Sequence, residues 1–171
     1  MGNTAQFFGK YRGTVVNNVD PLQIGRIQAI FPDIPEMNPT AWAMPCVPIA
    51  GKHSGTYFVP QVGAGVWIEF EQGDPDRPIW VGGYWNAADD VPALARDGAP
   101  TSPNIVLETA GKNAIVVSDL PGPTGGIMLK SANGATIIVN DAGIAIQNGH
   151  GASLTLIGPT VNINGGALTV V

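Results

Sequence analysis

Residues 66 to 84 read VWIEFEQGDPDRPIWVGGY. Val66, Ile68 and Phe70 alternate with Trp67, Glu69 and Glu71, the two-residue period of a half-buried strand. GDPDRP interrupts the alternation, and IWVGGYW returns as a partner, so the stretch reads as a β-hairpin. Asp74, Asp76 and Arg77 crowd three charges into this one turn of a chain in which only 12% of residues are charged. A calcium loop needs six to eight oxygens, and no third acid follows here, only Ile79 and Trp80. The reading is therefore a structural turn: Asp74 and Asp76 accept backbone N–H bonds, Pro75 and Pro78 fix φ, and Arg77 pairs with one of the two aspartates.

Working outward, GKYRGTVVNN reads as a strand, VDPLQIG as a turn, and RIQAIFP as the returning strand with Ile27 and Ala29 on one face. CVPIAG and SGTYFVP add further strand candidates. Five or six short strands in fewer than 90 residues suggest a small closed barrel such as an OB-fold, which removes exposed sheet edges.

Every Trp, Tyr and Phe lies within residues 1–88, whereas residues 105–171 contain no aromatic residue. Between them AADDVPALARDGAPTSPN reads as a linker with a short helical turn around Val91 to Arg96. The organisation expected is a barrel over 1–88, a linker over 89–104 and a repeat over 105–171. In that repeat aliphatic pairs recur two residues apart: Ile115 and Val117, Ile127 and Leu129, Ile137 and Val139, Ile144 and Ile146, Leu154 and Leu156, Val161 and Ile163, Leu168 and Val170. Gly, Asn or Pro fills the gaps, as expected for short strands stacked along an axis in a β-helix or solenoid. Strands of four or five residues without aromatic filling give one chain too thin a core. Strands from several chains are expected to interleave, and three around an axis is the simplest closed arrangement.

Composition narrows the function. With 23 Gly and 15 Pro in 171 residues, turns are favoured over helices. The net charge is -5 and the first 104 residues hold six basic against ten acidic side chains, so Trp67, Trp80, Tyr84 and Trp85 lack the positive groove that single-stranded nucleic acid requires. Cys46 is the only cysteine, which excludes an intrachain disulfide, and it is expected to be a buried structural thiol. MGNTAQFFGK has no signal-peptide pattern and no apolar run approaches the ~18 residues of a membrane span, so synthesis in the cytoplasm without an export signal is expected. Glu69 and Glu71, two apart on one strand, form the sole candidate acid pair of a glycosidase, with no groove of neighbouring acids to support it. His53 lacks any nucleophile motif beside it and reads as a loop residue. His150 in NGHGAS would appear three times at one level of a trimer, where imidazoles can hold a metal; an exposed turn histidine is the simpler reading, and neither metal nor cofactor is expected.

GTVVNNVDPLQIGRIQAIFP, VPIAG and VPQVGAGVWIEFEQGDPDRPIWVGGYWN, followed by a glycine-punctuated repeat, resemble the central spike family of contractile injection machines. The most specific elements are DPLQIGRIQAIFP at Asp20 to Pro32 and FEQGDPDRP at Phe70 to Pro78. The resemblance covers nearly the whole chain and implies an all-β protein: an N-terminal OB-fold barrel and a C-terminal intertwined trimeric β-helix needle. It implies a homotrimer, a separate trimeric hub protein, other baseplate components, transient contact with a target membrane, and a particle of the phage-tail or type VI secretion kind. It also implies a small tip protein of the proline-alanine-alanine-arginine-repeat type on the blunt apolar end formed by Leu168, Val170 and Val171. The chain lacks the lysozyme-like insert that some phage spikes carry, and a structural rather than enzymatic role is expected. The competing expectations are a tail-associated hydrolase and an OB-fold module binding oligosaccharide or single strands.

Overall fold

The computed structural model describes residues 6–34, 36 and 39–170, and the chain divides into two compact units, Met1–Asp90 and Val91–Val171. The first unit contains β1 (Tyr11–Asn17), β2 (Gln28–Ile30), β3 (Met44–Pro45), β4 (Ala50–Gly51), β5 (Ser54–Gly55), β6 (Gly65–Phe70) and β7 (Pro78–Tyr84). Five strands form one sheet in the order β2-β1-β6-β7-β3. All neighbours are antiparallel except β3 with β7, which run parallel. Ile27 and Ala43, which immediately precede β2 and β3, exchange hydrogen bonds of 3.2 and 2.8 Å across an antiparallel bridge. That bridge joins the two outer strands and closes the sheet into a barrel, leaving neither edge open. Bulges at Val15/Asn17 on β1 and opposite Trp67/Ile68 on β7 supply the bending that closure requires.

The alternation read in the sequence sets the inside. Val66, Ile68 and Phe70 are buried with Val15, Ile27, Ala29, Phe31, Ala43 and Trp80. At one end Phe7, Tyr11, Phe31 and Phe70 meet edge-on or tilted, with ring centroids 5.6 to 6.3 Å apart. The Trp80 indole N–H donates to the Gly25 carbonyl at 3.0 Å, so the largest core ring keeps its one polar atom satisfied. CVPIAG and SGTYFVP do not form full strands. They contribute only the two-residue β4 and β5, while Cys46 N–H donates to the Trp80 carbonyl beyond the end of β3. Cys46 itself is exposed rather than buried, because this segment runs along the outside of the barrel.

The loop between β1 and β2 is built around one carboxylate. Asp20 is 3% exposed and accepts the Arg26 guanidinium twice on Oδ1, from Nε at 2.9 Å and from Nη2 at 2.6 Å. It also accepts the backbone N–H groups of Leu22, Ile24 and Arg26 at 3.0 to 3.2 Å. Arg26 in turn lies over the Trp42 ring, 5.4 Å from its centroid. The motif DPLQIGR is thus a loop wound on its own first residue.

The second unit holds a four-residue helix, α1 (Ala93–Arg96), then β8 (Ile105–Glu108), β9 (Ala114–Ser118), β10 (Gly126–Lys130), β11 (Thr136–Asn140), β12 (Gly143–Gln147), β13 (Ser153–Ile157), β14 (Thr160–Ile163) and β15 (Leu168–Val170). These eight strands form one antiparallel sheet in sequence order, a meander in which each strand pairs with the next. Glycine punctuates it where the neighbouring backbone comes closest: a Cβ on Gly126 would run into the Val139 carbonyl, and one on Gly143 into the Leu156 carbonyl. Only Ala114, Val116 and Ser118 are buried among the described residues of this sheet.

The Asp20 cluster makes the barrel acid-sensitive in a defined way. Led by the Arg26 guanidinium and helped by the three N–H donors, it holds the carboxyl far below the usual aspartate range against the opposing effect of burial. The unfolded chain then binds the proton more readily. The resulting stabilisation is complete above the unfolded value near ~3.9 and is lost progressively as pH falls below it. Because all four Trp lie between residues 42 and 85, tryptophan fluorescence reports the barrel alone. Asp20→Asn is expected to lower the barrel melting temperature at pH 7 and to flatten its decline below about pH 4. Equal acid slopes in the two proteins would remove Asp20 from that role.

Candidate functional site

The register of the meander builds a site that no single strand contains. Ile105, Val117, Ile127, Val139, Ile144, Leu156 and Val161 stand opposite one another in succession across seven strands, and the alignment continues to the backbone of Val170. Beside them Leu107, Ile115, Leu129, Ile137, Ile146, Leu154, Ile163 and Leu168 form a second continuous column. Residues two apart on a strand share a face, so both columns lie on one side of the sheet. Twelve of these side chains are exposed, among them Ile137 at 41% and Ile146 at 40%, while Leu154, Leu156 and Val161 are half-buried. An unbroken aliphatic face of this length far exceeds the scattered apolar residues of an ordinary protein surface.

The opposite side of the sheet is different. Its central column runs Val106, Val116, Met128, Ile138 and Ala145, then turns polar at Thr155 and Asn162. Sequence pairing found the aliphatic columns from Ile115 onward but missed Ile105 and Leu107, which β8 adds at the start. The same two-residue spacing at Ile105 and Leu107 was available to find them.

Leu168 and Val170 lie on β15, with Leu168 opposite Ile163 and exposed at the end of its column, and Val170 opposite Val161; Val171 falls outside the described residues. Asp74, Asp76 and Arg77 lie together in the β6–β7 connection. Asp74 Oδ1 accepts the Asp76 N–H at 3.0 Å, and Arg77 reaches Asp74 and Glu71 at 3.7 Å each. Both ion pairs are exposed and loose, a geometry that contributes little to stability. Backbone bonds from Glu71 N to Arg77 O, Asp74 N to Glu71 O and Arg77 N to Asp74 O hold the turn.

Glu69 and Glu71 do not form an acid pair on one strand face. β6 ends at Phe70, and Glu71 begins a short 3-10 turn in which Gln72 takes φ 55°. Glu69 pairs with Lys10 and Glu71 with Arg77, so each carboxylate already has a cation. His53 occupies the tight β4–β5 connection with φ 58°. His150 is exposed, its backbone N–H donating to Asn148 Oδ1 at 2.9 Å. Among the described residues no three His, Cys, Asp or Glu side chains gather as metal ligands. Of the four aromatics considered as stacking platforms, Trp80 is core, Trp67 and Tyr84 are half-buried, and Trp85 is exposed.

Residues 11–85 match the type VI secretion system/phage-baseplate injector OB domain, and residues 104–169 match the phage baseplate V C-terminal trimerisation domain. The chain is 28% identical over 137 residues to the type VI secretion system spike protein VgrG1a of Pseudomonas aeruginosa, a match covering 75% of this chain and 21% of that protein. It is 36% identical over 74 residues to the spike proteins VgrG1c and VgrG1b of the same organism, covering 41% of this chain and 10% of each. The chain thus spans about a fifth or less of the relatives it matches. A closed barrel followed by an aliphatic-faced meander, matched in that order by an injector OB domain and a trimerisation domain, places this chain in the phage-baseplate and type VI secretion spike family.

Proposed function

We propose that three copies of this chain form the central spike of a contractile injection particle. The barrel docks beneath a separate trimeric hub, and the meanders of three chains wrap about one axis as the needle that enters the target envelope when the sheath contracts. The role is mechanical, with no catalytic step. The observation that carries this reading is the exposed double column of aliphatic side chains within a segment that matches a trimerisation domain. Covering a half-exposed aliphatic side chain is worth about 1 kcal/mol. Twelve such side chains per chain are covered together when three chains associate, and that burial favours assembly. Continuous hydrogen bonding across all eight strands then carries load through many bonds at once.

The needle end, Leu168 with Val170 and Val171, is proposed to seat a tip protein of the proline-alanine-alanine-arginine-repeat type. Leu168, opposite Ile163 in its column, is exposed, which supports an apolar contact at this strand.

Substitution of the paired Ile137 and Ile146 by Asp places two charges per chain within the proposed trimer interior. Sedimentation equilibrium is expected to show a trimer for the full wild-type chain and loss of the trimer for the double variant, with tryptophan fluorescence of the barrel unchanged. A trimeric double variant, or a folded monomeric wild type, would overturn the proposed packing. Leu168→Asp combined with Val170→Asp is expected to weaken capture of the particle's tip protein at least tenfold while the trimer persists; unchanged capture would move the tip contact elsewhere.

A further inference from the structure

We propose that Arg12, which caps the tilted ring pair of Trp67 and Tyr84 on the outside of the barrel, is the docking point for a carboxylate on the protein that holds the spike in its particle. The inference rests on the spike reading and adds to it a surface and a chemistry. On β1, Val15 points into the core, whereas Arg12 is exposed; on β6, Val66 and Ile68 point inward, whereas Trp67 lies on the outer face directly opposite Arg12. The guanidinium carbon lies 5.3 Å from the Trp67 ring centroid and 5.2 Å from that of Tyr84, and the two rings are 5.1 Å apart. Tyr84 reaches this position because its cross-strand neighbour is Gly65: a Cβ there would lie 2.7 Å from the Tyr84 ring. The Tyr84 hydroxyl donates to the Gly13 carbonyl at 3.4 Å and fixes the ring from its far end.

This arrangement holds a cation still without neutralising it. Lys10 and Glu69 occupy the next level of the same face and pair with each other, and Arg26 and Arg77 have their own carboxylates. No carboxylate among the described residues pairs with Arg12. A guanidinium resting on one side of an aromatic pair still presents N–H groups at its edge, and that edge matches a carboxylate in two-point geometry. Its side-chain entropy is already spent by the stacking, so a partner gains the charge-assisted bonds with less ordering cost. Arg, Trp and Tyr are also the residues most enriched where binding energy concentrates at protein interfaces. Charge complementarity therefore selects a single acidic group on a protein surface; a phosphate backbone calls for a row of free cations, and the neighbouring Lys10 is already paired with Glu69.

The test uses the full chain, co-expressed with the other baseplate proteins of its own particle, with spike content per purified particle measured by quantitative mass spectrometry. Arg12→Gln keeps a planar stacking group but removes the charge, and is expected to lower incorporation about tenfold or more. Arg12→Lys keeps the charge without the fork, and is expected to incorporate at an intermediate level that falls further as salt is raised. Trimer mass and the barrel fluorescence melt should match wild type in both. Wild-type incorporation of Arg12→Gln would overturn the inference, as would losses in both variants that simply track lowered barrel stability or trimer mass. Absence of the wild-type chain from particles would instead sink the spike reading itself, and the inference with it.

Discussion

The needle half is governed by one constraint: a single-layer sheet whose one face is aliphatic over all eight strands cannot keep that face in water. Hydrogen bonding links every pair of neighbouring strands in the meander, so the backbone of the six inner strands is satisfied within one chain. Side-chain burial is not, because among the described residues of the sheet only Ala114, Val116 and Ser118 become buried. The secondary structure is therefore a property of the chain, and the hydrophobic core is a property of the assembly. That division explains why the sequence carries no aromatic residue after residue 104. In the proposed trimer, a narrow axis shared by three sheets would take one branched aliphatic side chain per chain at each level, and a ring of tryptophan size would force the sheets apart.

The barrel solves the opposite problem. Its core is complete within one chain, from Val15 to Trp80, and the bridge from Ile27 to Ala43 closes the five-stranded sheet on itself. Polar order is then spent on the loop at Asp20, which takes the Arg26 side chain and three backbone N–H groups onto one carboxylate. The consequence is a fixed path for the chain into β2, delivering Ile27 to its bridge with Ala43 and the Gly25 carbonyl to the Trp80 indole. Local electrostatics and global closure are thereby linked through seven residues of loop.

Much of this was legible in the sequence where periodicity carried it. Val66, Ile68 and Phe70 announced the inner face of the barrel, and the paired aliphatics from Ile115 to Val170 announced one face of the meander. Periodicity failed where an element was too short to have any. The parallel pairing of Met44 with Ile79 involves two residues and leaves no local signal, and the segments around Ala50 and Ser54 were read as longer strands than they are. Cys46 was misplaced by composition, since free cysteines are usually buried and this one lies on an outer segment. Glu71 was misplaced by extrapolating the strand one residue too far, across the left-handed Gln72. The importance of Asp20 was hidden for another reason. An aspartate before proline reads as an ordinary turn residue, and only the fold brings the Arg26 guanidinium onto it.

The contrast between Arg26 and Arg12 shows how the same side chain is put to different uses on one barrel. Both lie against aromatic rings, Arg26 over Trp42 and Arg12 over the tilted pair of Trp67 and Tyr84. Arg26 is sealed by a nearly buried carboxylate, and its bonding capacity is directed inward to the loop that it closes. Arg12 has the stacking without the carboxylate, so its bonding capacity is directed outward. An exposed cation over a ring contributes about 0.5–1 kcal/mol, and a glycine at position 65 gives up strand propensity to make room for Tyr84, so part of what the cluster gains is offset locally. In the proposed spike, this unneutralised guanidinium is the group that the barrel leaves available to a partner outside the chain.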